Sequence, residues 1–504
     1  MNNVLEYLER SAALYPDKVA FSDHQKEITY QELVTQSKQI ASKLMKYYAP
    51  RTAVPVYMEK GVDTICLLFG IVYAGCFYVM LDLRHPKARI EQIFDTLQVK
   101  QVIINERTKA SLEKMELPVE LLLFDELKNA VDEEALSKIR KEHLDIDPLY
   151  CNFTSGSTGT PKGVLVCHRS VIDFIDEFTK TFAIDEHEVI GNQAPWDFDV
   201  SIKDIYSTIC CGATMQIIPK AYFSMPAKLL DFICEREVTT LIWAVSALCI
   251  LSTLKGFEYR IPEKLKKVMF SGEIMPMKQL RIWQEALPHV VYVNLYGPTE
   301  ITCNCTYHVV TKGDEQREAL PIGKPFPNER ILLLDEQDQL ITKHHVKGEI
   351  CVSGTAVTLG YYGNKEQTDH AFVQNPMNKH WPEIIYRTGD LGYFDEDGTL
   401  YFSGRRDFQI KHMGHRIELT DIECAMTAID GIERCCCLYE QEKIIAFYEG
   451  FQTQKEIRSA LRKKLPPFMI PGIFLCMEQF PLTKNGKIDR KALRHYWEVD
   501  QDAA

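Results

Sequence analysis

Short apolar runs alternate with longer amphipathic stretches over most of this chain. Residues 52–57, 101–104 and 267–271 have the length and the apolar content of buried strands. Residues 227–235 instead carry apolar side chains at helical spacing. Because a helix between two strands returns the chain to the same end of a sheet, this alternation favours parallel pairing. We predict an α/β fold with a large N-terminal body of parallel α/β subdomains.

Two changes of pattern divide the chain. Residues 331–363 are rich in strand-forming residues and punctuated by turns, which indicates a small β subdomain. Further on, residues 420–423 have the sequence of a capping box that opens a helix, and the apolar run 435–439 follows. We therefore predict a body formed by residues 1–405 and a small, mobile α+β lid formed by residues 406–504.

Composition and charge exclude several classes of partner. The chain has 504 residues and a net charge of −12, whereas a nucleic-acid or anionic-membrane surface needs a concentrated excess of Lys and Arg. Residues 64–81 carry no charge, but Gly70 and Gly75 interrupt them, so a buried helix followed by a strand is favoured over a membrane span. We expect neither nucleic acid nor membrane as a partner.

The N-terminal residues and the cysteines bear on the cellular location of the protein. Residues 1–17 carry charges throughout and lack the basic-then-apolar layout of a signal peptide. The 16 cysteines show no paired Cys-x-x-Cys spacing. We expect reduced, structural cysteines in a cytoplasmic protein.

Hydroxyl groups and glycines are dense in residues 154–163. Such a loop offers backbone N–H groups, hydroxyl donors and the Lys162 cation to a phosphate chain. A Walker A loop ends in Gly-Lys-Ser or Gly-Lys-Thr, whereas Lys162 lies between Pro161 and Gly163, so a P-loop NTPase is disfavoured. The alternative for this segment alone is a flexible Gly/Ser turn.

This loop and a series of later motifs resemble the superfamily that joins acyl-CoA synthetases, luciferases and nonribosomal-peptide adenylation domains. The motifs follow the order of that family over nearly the whole chain. They occupy residues 28–33, 74–82, 198–201, 271–273, 294–300, 348–350, 386–390, 404–411 and 485–490.

The resemblance implies a site for ATP and Mg²⁺. In it, Tyr296 stacks on adenine, Asp390 accepts from the ribose hydroxyls, Glu300 holds Mg²⁺, and Lys487 stabilises the charge of the transition state, with Thr299 and Glu300 as further catalytic residues. The full set implied for ATP is Thr154, Ser155, Gly156, Ser157, Thr158, Lys162, Gly272, Glu273, Asn294, Leu295, Tyr296, Gly297, Pro298, Thr299, Asp390, Arg405 and Lys487.

The resemblance also implies an amino acid as the substrate. Asp199 corresponds to the aspartate that pairs with the α-ammonium in amino-acid-activating members, and fatty or aryl acids have no such cation. Lys203 would face the substrate side chain, so either that side chain carries a polar or acidic group, or Lys203 bends out to solvent beside a small pocket. The implied pocket consists of Asp199, Val200, Lys203, Ser271, Leu295, Cys303 and Asn304, with Met269 and Ile242 beside them.

The resemblance implies two steps: adenylation of the amino acid with MgATP, then transfer to the phosphopantetheine thiol of a separate carrier protein. Asp407 would be the hinge of the lid, and Gly414 would line the approach of the thiol. Residues 192–206 resemble most closely the stand-alone D-alanine–carrier-protein ligases, although Ser271 and Lys203 depart from that pattern. An acyl- or aryl-CoA synthetase and a catalytically inactive binding protein are the alternatives.

Overall fold

The computed structural model describes residues 1–154, 161–406, 409–482 and 488–502. The chain divides into two compact units. The first consists of Met1–Leu83, Leu97–Asn152 and Gly163–Arg406, and the second of Arg84–Thr96, Phe153–Lys162 and Asp407–Ala504. The sequence did not indicate that two short N-terminal segments group with the C-terminal residues. A mobile lid stays a prediction.

Strands occur along the whole chain. In chain order they are β1 (Val19–Ser22), β2 (Glu27–Thr29), β3 (Ala53–Tyr57), β4 (Phe77–Met80), β5 (Gln101–Ile104), β6 (Glu120–Leu123), β7 (Pro148–Thr154), β8 (Lys162–Cys167), β9 (Val189–Asn192), β10 (Thr214–Ile217), β11 (Thr240–Ala244), β12 (Lys267–Ser271), β13 (Val291–Tyr296), β14 (Thr306–Val309), β15 (Lys324–Pro325), β16 (Glu329–Leu334), β17 (Gly348–Gly354), β18 (Phe372–Gln374), β19 (Ile384–Phe394), β20 (Leu400–Arg405), β21 (Gln409–His412), β22 (His415–Glu418), β23 (Ile432–Glu440), β24 (Lys443–Gly450) and β25 (Ile473–Cys476).

Helices separate most of the early strands. In chain order they are α1 (Leu5–Leu14), α2 (Tyr30–Leu44), α3 (Val62–Tyr73), α4 (Lys87–Leu97), α5 (Glu106–Glu113), α6 (Glu133–Glu142), α7 (His168–Thr181), α8 (Ser201–Cys211), α9 (Pro226–Glu235), α10 (Val245–Thr253), α11 (Met277–Ala286), α12 (Lys365–Ala371), α13 (Leu419–Thr427), α14 (Gln454–Leu461) and α15 (Arg490–Asp502). None of these helices is both long enough and apolar enough to cross a bilayer.

Two large sheets confirm the predicted α/β fold. The nine-stranded sheet has the order β15-β14-β13-β12-β11-β9-β10-β1-β2, and its pairs from β13 to β1 are parallel. The six-stranded sheet has the order β6-β5-β3-β4-β7-β8. The uncharged stretch at residues 64–81 falls in the buried helix α3 and strand β4, as predicted.

The register of the nine-stranded sheet determines which side chains lie together. Ala244, Ser271 and Leu295 are direct neighbours at the carboxyl ends of β11, β12 and β13. Because side chains alternate along a strand, Met269 lies on the same face as Ser271, and Phe270 on the opposite face. In parallel α/β sheets ligands bind beyond the carboxyl ends of the strands. This edge is therefore where a site is expected.

The predicted small β subdomain is an antiparallel sheet of five strands, in which β16, β17, β19 and β18 are neighbours and β20 pairs with β19. It extends to Arg405, well beyond the stretch that the sequence indicated. The sequence after residue 363 is rich in turn-forming residues, so the later strands could not be recognised from the local pattern. These strands become regular only through pairing with their neighbours.

In the second unit, β23, β24 and β25 form a three-stranded sheet, and the Cys435–Cys437 run is buried within it. The predicted capping box is wrong: α13 begins at Leu419, with Glu418 at the N-cap position and without a side-chain cap. Glu423 instead accepts from the Cys437 backbone N–H at 2.6 Å and pairs with Arg490 at 2.7 Å. A tertiary partner thus replaces the local cap.

Candidate active site

A buried carboxylate links β13 to the β19–β20 pair. Asp390 lies opposite Arg405 in the register, and its carboxylate accepts from the Arg405 guanidinium and from the Tyr296 hydroxyl. Burial and the negative charge of Asp390 raise the pKa of Tyr296 well above its usual value, so the hydroxyl remains a donor. A carboxylate has about four lone-pair positions, so Asp390 can still accept from two sugar hydroxyls. The bond from Tyr296 to Asp390 also fixes the orientation of the ring.

Open space adjoins the strand end at Gly272. The residue has a φ of +100°, and a Cβ built there would meet no atom within 4 Å. On the neighbouring strand, the Asn294 side chain donates to the Pro321 carbonyl at 2.9 Å. A glycine at this place leaves room for a flat ring against the strand end, and the turn continues through the half-buried Glu273.

Glu300 is fully buried in a short 3₁₀ turn after β13, Thr299–Ile301. Its Oε1 accepts from the Tyr361 hydroxyl at 2.8 Å. Tyr361 belongs to the segment that runs beside β8, through a bridge to Val164. Its ring packs edge-on against Phe372 at 5.6 Å. The predicted metal-binding carboxylate is therefore held by Tyr361, whose segment pairs with β8.

The turn around Glu300 depends on two unusual backbone positions. A Cβ at Gly297 would come within 2.6 Å of the Cys303 carbonyl oxygen and of the Asn304 Cα, so only glycine allows this approach. Thr302 is buried with a φ of +69°, and its hydroxyl donates to the Ala356 carbonyl at 2.6 Å. A non-glycine residue held in this region is strained, and such strain often marks a functional site. The turn brings Cys303 and Asn304 back against β13.

Two charged side chains lie close to the start of α8, Asp199 in the turn before it and Lys203 in its first turn. Asp199 is 9% exposed, and Lys203 is completely buried. Lys203 Nζ donates to Asn304 Oδ1 at 2.6 Å. Burial raises the pKa of the Cys303 thiol to about 12, while the positive charge of Lys203 lowers it and the negative charge of Asp199 raises it. Lys203 and Cys303 both hydrogen-bond to Asn304 Oδ1, which places these three side chains together.

The other residues predicted to form this pocket are buried or half-buried. They are Val200, Ile242, Met269, Ser271 and Leu295.

A second polar cluster surrounds Asp204, the residue that follows Lys203 in α8. Asp204 is fully buried, and its Oδ2 accepts from the Asn192 amide at 2.5 Å. Lys60 Nζ donates to Asn192 Oδ1 at 3.1 Å and to the Gln193 carbonyl at 3.0 Å. Burial raises the pKa of Asp204 to about 7, against the opposing effects of the Asn192 hydrogen bond and of the positive charges of Lys203 and Lys60. This cluster fixes the chain at Asn192 and Gln193, seven residues and six residues before Asp199.

Comparison with known proteins identifies the family. Residues 8–362, more than half of the chain, match the family described as AMP-binding enzyme. The chain belongs to the AMP-binding enzyme family. This family belongs to the adenylate-forming superfamily, whose members use ATP.

This AMP-binding enzyme resembles proteins of two kinds. It is 31% identical over 511 residues to a D-alanine–D-alanyl carrier protein ligase from Bacillus cereus (strain G9842). The match covers 97% of this chain and 98% of that one. It is 30% identical over 499 residues to tyrocidine synthase 1 from Brevibacillus parabrevis. That match covers 97% of this chain but only 45% of the relative. The chain thus spans less than half the length of the latter relative.

A solved structure of a nonribosomal-peptide synthetase protein containing adenylation and PCP domains has the same fold. Its TM-score is 0.83 at 26% identity, and the match covers 99% of this chain and 97% of that one.

The residues of the AMP-binding enzyme fit a nucleotide and Mg²⁺. The open side of Gly272 and the Asp390 carboxylate suit an adenine and a ribose. Among the described residues no cluster of three or more His, Cys, Asp or Glu side chains forms a metal site. Mg²⁺ is commonly held by one or two carboxylates together with substrate phosphates. Glu300 would be that carboxylate, and the metal would neutralise phosphate charge.

The remaining residues predicted for the phosphates, the hinge and the thiol approach lie in the second unit or outside the residues that the structure describes. Thr154 ends β7, where its carbonyl accepts from Arg89 at 3.2 Å and its buried hydroxyl has no hydrogen bond to a described residue. Such a hydroxyl suits a phosphate oxygen. Lys162 begins β8, and Gly414 lies in the β21–β22 turn with a φ of +79°. The predicted residues Ser155, Gly156, Ser157, Thr158, Asp407 and Lys487 lie outside the described residues.

Sequence reasoning missed four contributors to this site: Tyr361, Thr302, Asp204 and Lys60. Tyr361 and Lys60 lie far along the chain from their partners, and a hydrogen bond of that range leaves no local pattern. Thr302 could have been noticed only from its backbone conformation. Asp204 was available as a charged residue inside an apolar helix, which is a recognisable sign of a buried polar cluster.

Proposed function

We propose that the protein is an amino acid–carrier-protein ligase. It joins an amino acid to AMP with MgATP, releases pyrophosphate, and then transfers the aminoacyl group to the phosphopantetheine thiol of a separate carrier protein. Asp199 is the observation that carries the amino-acid part of the proposal. Asp199 is only 9% exposed, and a buried carboxylate favours a cationic partner, which the α-ammonium of an amino acid would supply.

The proposed nucleotide site uses the first unit's own residues. Tyr296 and Gly272 bind the base, Asp390 and Arg405 bind the ribose, and Thr299 and Glu300 face the phosphates. From the resemblance, Lys487 stabilises the charge that develops at the α-phosphate. Asp407 is proposed as the hinge that lets residues 406–504 serve the two steps in turn.

The proposal that a carrier protein accepts the aminoacyl group is supported by the similarity to known proteins. One of them is a D-alanyl carrier protein ligase that this chain matches over almost its whole length. That match also favours D-alanine as a second candidate for the substrate. The departures at Lys203 and Ser271 argue for a different side chain.

Two measurements test the proposal. ATP–pyrophosphate exchange is measured over a panel of L- and D-amino acids, fatty acids and aryl acids, and the product is then offered either to phosphopantetheinylated carrier proteins or to coenzyme A. We expect exchange with an amino acid and transfer to a carrier protein. Exchange with fatty or aryl acids alone, followed by transfer to coenzyme A, would contradict the proposal, as would a complete lack of exchange.

A further inference from the structure

Residues 355–361 follow strand β17 and lie against the turn that carries Glu300. In addition to the phenol that donates to Glu300 Oε1, two further hydrogen bonds join this segment to the turn. The Thr302 hydroxyl donates to the Ala356 carbonyl at 2.6 Å. The Thr358 backbone N–H donates to the Glu300 carbonyl at 3.0 Å. The position of Glu300 therefore depends on how residues 355–361 are themselves held.

Glu329 is a second side chain that fixes this segment. It is the first residue of β16 and lies opposite Gly354, the last residue of β17. Its Oε1 accepts from the Ala356 backbone N–H at 3.1 Å. A Cβ at Gly354 would come within 2.5 Å of Glu329 Oε2, so glycine at this strand end leaves room for the carboxyl group. Both sides of Ala356 are thus fixed, its N–H by Glu329 and its carbonyl by Thr302.

Glu329 is an acidic side chain in a place that offers it no cation. Although the residue as a whole is half-buried, its Oε2 is buried without a hydrogen bond to a described residue, and no described cation forms an ion pair with it. The charge that acts on it from α7 is Asp173, which accepts from the Asn328 amide at 2.6 Å. Arg330, the next residue of β16, instead pairs with Glu383 at 3.5 Å.

The protonation of Glu329 follows from these surroundings. The segment it holds carries no charged residue. Burial and the negative charge of Asp173 raise the pKa of Glu329 to about 8, against the opposing effect of the backbone hydrogen bond. The carboxyl group is therefore mostly uncharged at neutral pH.

We propose that Glu329 is a positioning residue for Glu300. It fixes residues 355–361 at Ala356, and these residues fix the turn whose carboxylate would bind Mg²⁺. The inference rests on the proposed function, which gives Glu300 that role. An uncharged carboxyl group suits the position, because its carbonyl oxygen accepts from the backbone and no negative charge has to be desolvated.

A rising pH should weaken this contact. Because the pKa of Glu329 is raised from 4.5 to about 8 in the folded state, the stability that the protonated group contributes is complete below about pH 4.5. That contribution is lost as the pH rises through about 8. The charged side chain then gains by leaving Ala356 for solvent.

The first test uses the full-length protein without nucleotide. Hydrogen–deuterium exchange at about pH 6 is followed by mass spectrometry of the peptide that contains residues 355–361. Glu329→Ala removes the acceptor and should make this peptide exchange about 2- to 10-fold faster, as for the loss of one hydrogen bond between neutral groups. Glu329→Gln keeps an uncharged acceptor of the same length and should leave the rate unchanged. Glu336→Gln, the same change at an exposed position after β16, should match the wild type throughout.

The second test measures the Mg²⁺ concentration needed for half-maximal ATP–pyrophosphate exchange. At about pH 6 it should be about 2- to 10-fold higher in Glu329→Ala than in the wild type, and unchanged in Glu329→Gln. The ratio of the wild-type value to the Glu329→Gln value should rise as the pH approaches 8 and then level off, since only the wild type can become charged there. The thermal midpoint of each variant at each pH identifies any loss of the fold.

The outcomes separate the two levels of the proposal. Equal hydrogen–deuterium exchange of residues 355–361 in the wild type and Glu329→Ala would overturn the positioning role, as would a Mg²⁺ requirement that is the same in Glu329→Ala and Glu329→Gln. A wild-type to Glu329→Gln ratio that is constant with pH would overturn the role of the uncharged form. If no amino acid supports ATP–pyrophosphate exchange in the wild type, the proposed function fails, and the first test alone decides whether Glu329 holds this segment.

Discussion

Tyr361→Phe is the sharpest test of the geometry around Glu300. The substitution removes one hydroxyl and leaves the ring against Phe372. That hydroxyl donates at 2.8 Å to a carboxylate whose residue is 0% exposed, and Tyr361 itself is only 7% exposed. Water therefore has little room to replace the lost donor, and the carboxylate of Glu300 loses a charge-assisted partner.

The size of the effect follows from that burial. A hydrogen bond to a charged group contributes about 1.5–3 kcal/mol. If the bond holds Glu300 in its working position, its loss should lower kcat/KM for ATP by about 10- to 150-fold, because about 1.4 kcal/mol corresponds to a factor of ten. The Mg²⁺ concentration needed for half-maximal exchange should rise as well, since a displaced carboxylate would bind the metal less well.

Tyr362→Phe is the matched control. It makes the same chemical change in the adjacent residue, which is half-buried and whose hydroxyl makes no hydrogen bond to a described residue. Exchange is measured at a temperature well below the thermal inactivation of both variants, over a range of ATP and Mg²⁺ concentrations. If the two variants have equal kcat/KM values and equal Mg²⁺ requirements, the structural link between Tyr361 and Glu300 has no catalytic role.

Three further predictions concern other parts of the molecule. Lys487→Ala should leave ATP binding intact and lower aminoacyl-AMP formation by about 10²–10³, as for the loss of one preorganised donor; near-normal exchange would remove Lys487 from the mechanism. Asp407→Pro should impair thiol transfer more than adenylation, because proline fixes φ near −65° at the proposed hinge; equal losses in both half-reactions would argue against a hinge there. Asp204→Asn should gain stability relative to the wild type between pH 5 and pH 7, measured as the denaturant midpoint. The pKa of Asp204 is raised in the folded state from 3.8 to about 7, so its contribution to stability is present at low pH and is lost as the pH rises through that window. An identical pH dependence in both proteins would contradict this assignment.

The sequence could nominate many residues of the candidate site because they occur in short, ordered motifs. The parallel α/β fold followed from the alternation of apolar runs with amphipathic stretches, which depends only on local periodicity. The motifs around Tyr296, Asp390 and Arg405 carry a strong resemblance, since each combines backbone turns with specific polar groups. Their roles stay predictions, and the structure places them in strands β13, β19 and β20.

The tertiary structure alone decided which partners those residues have. Nothing in the sequence relates Tyr361 to Glu300, or Lys60 to Asn192, because hydrogen bonds across such separations depend on how strands and loops pack. The same holds for Lys203. Its sequence position allowed either a solvent-exposed or a buried ammonium, and only the packing of α8 against the turn at Cys303 and Asn304 placed it inside. The capping box failed for the same reason: Glu423 satisfies the local pattern, but Arg490 and the Cys437 backbone N–H offer it stronger partners in the fold.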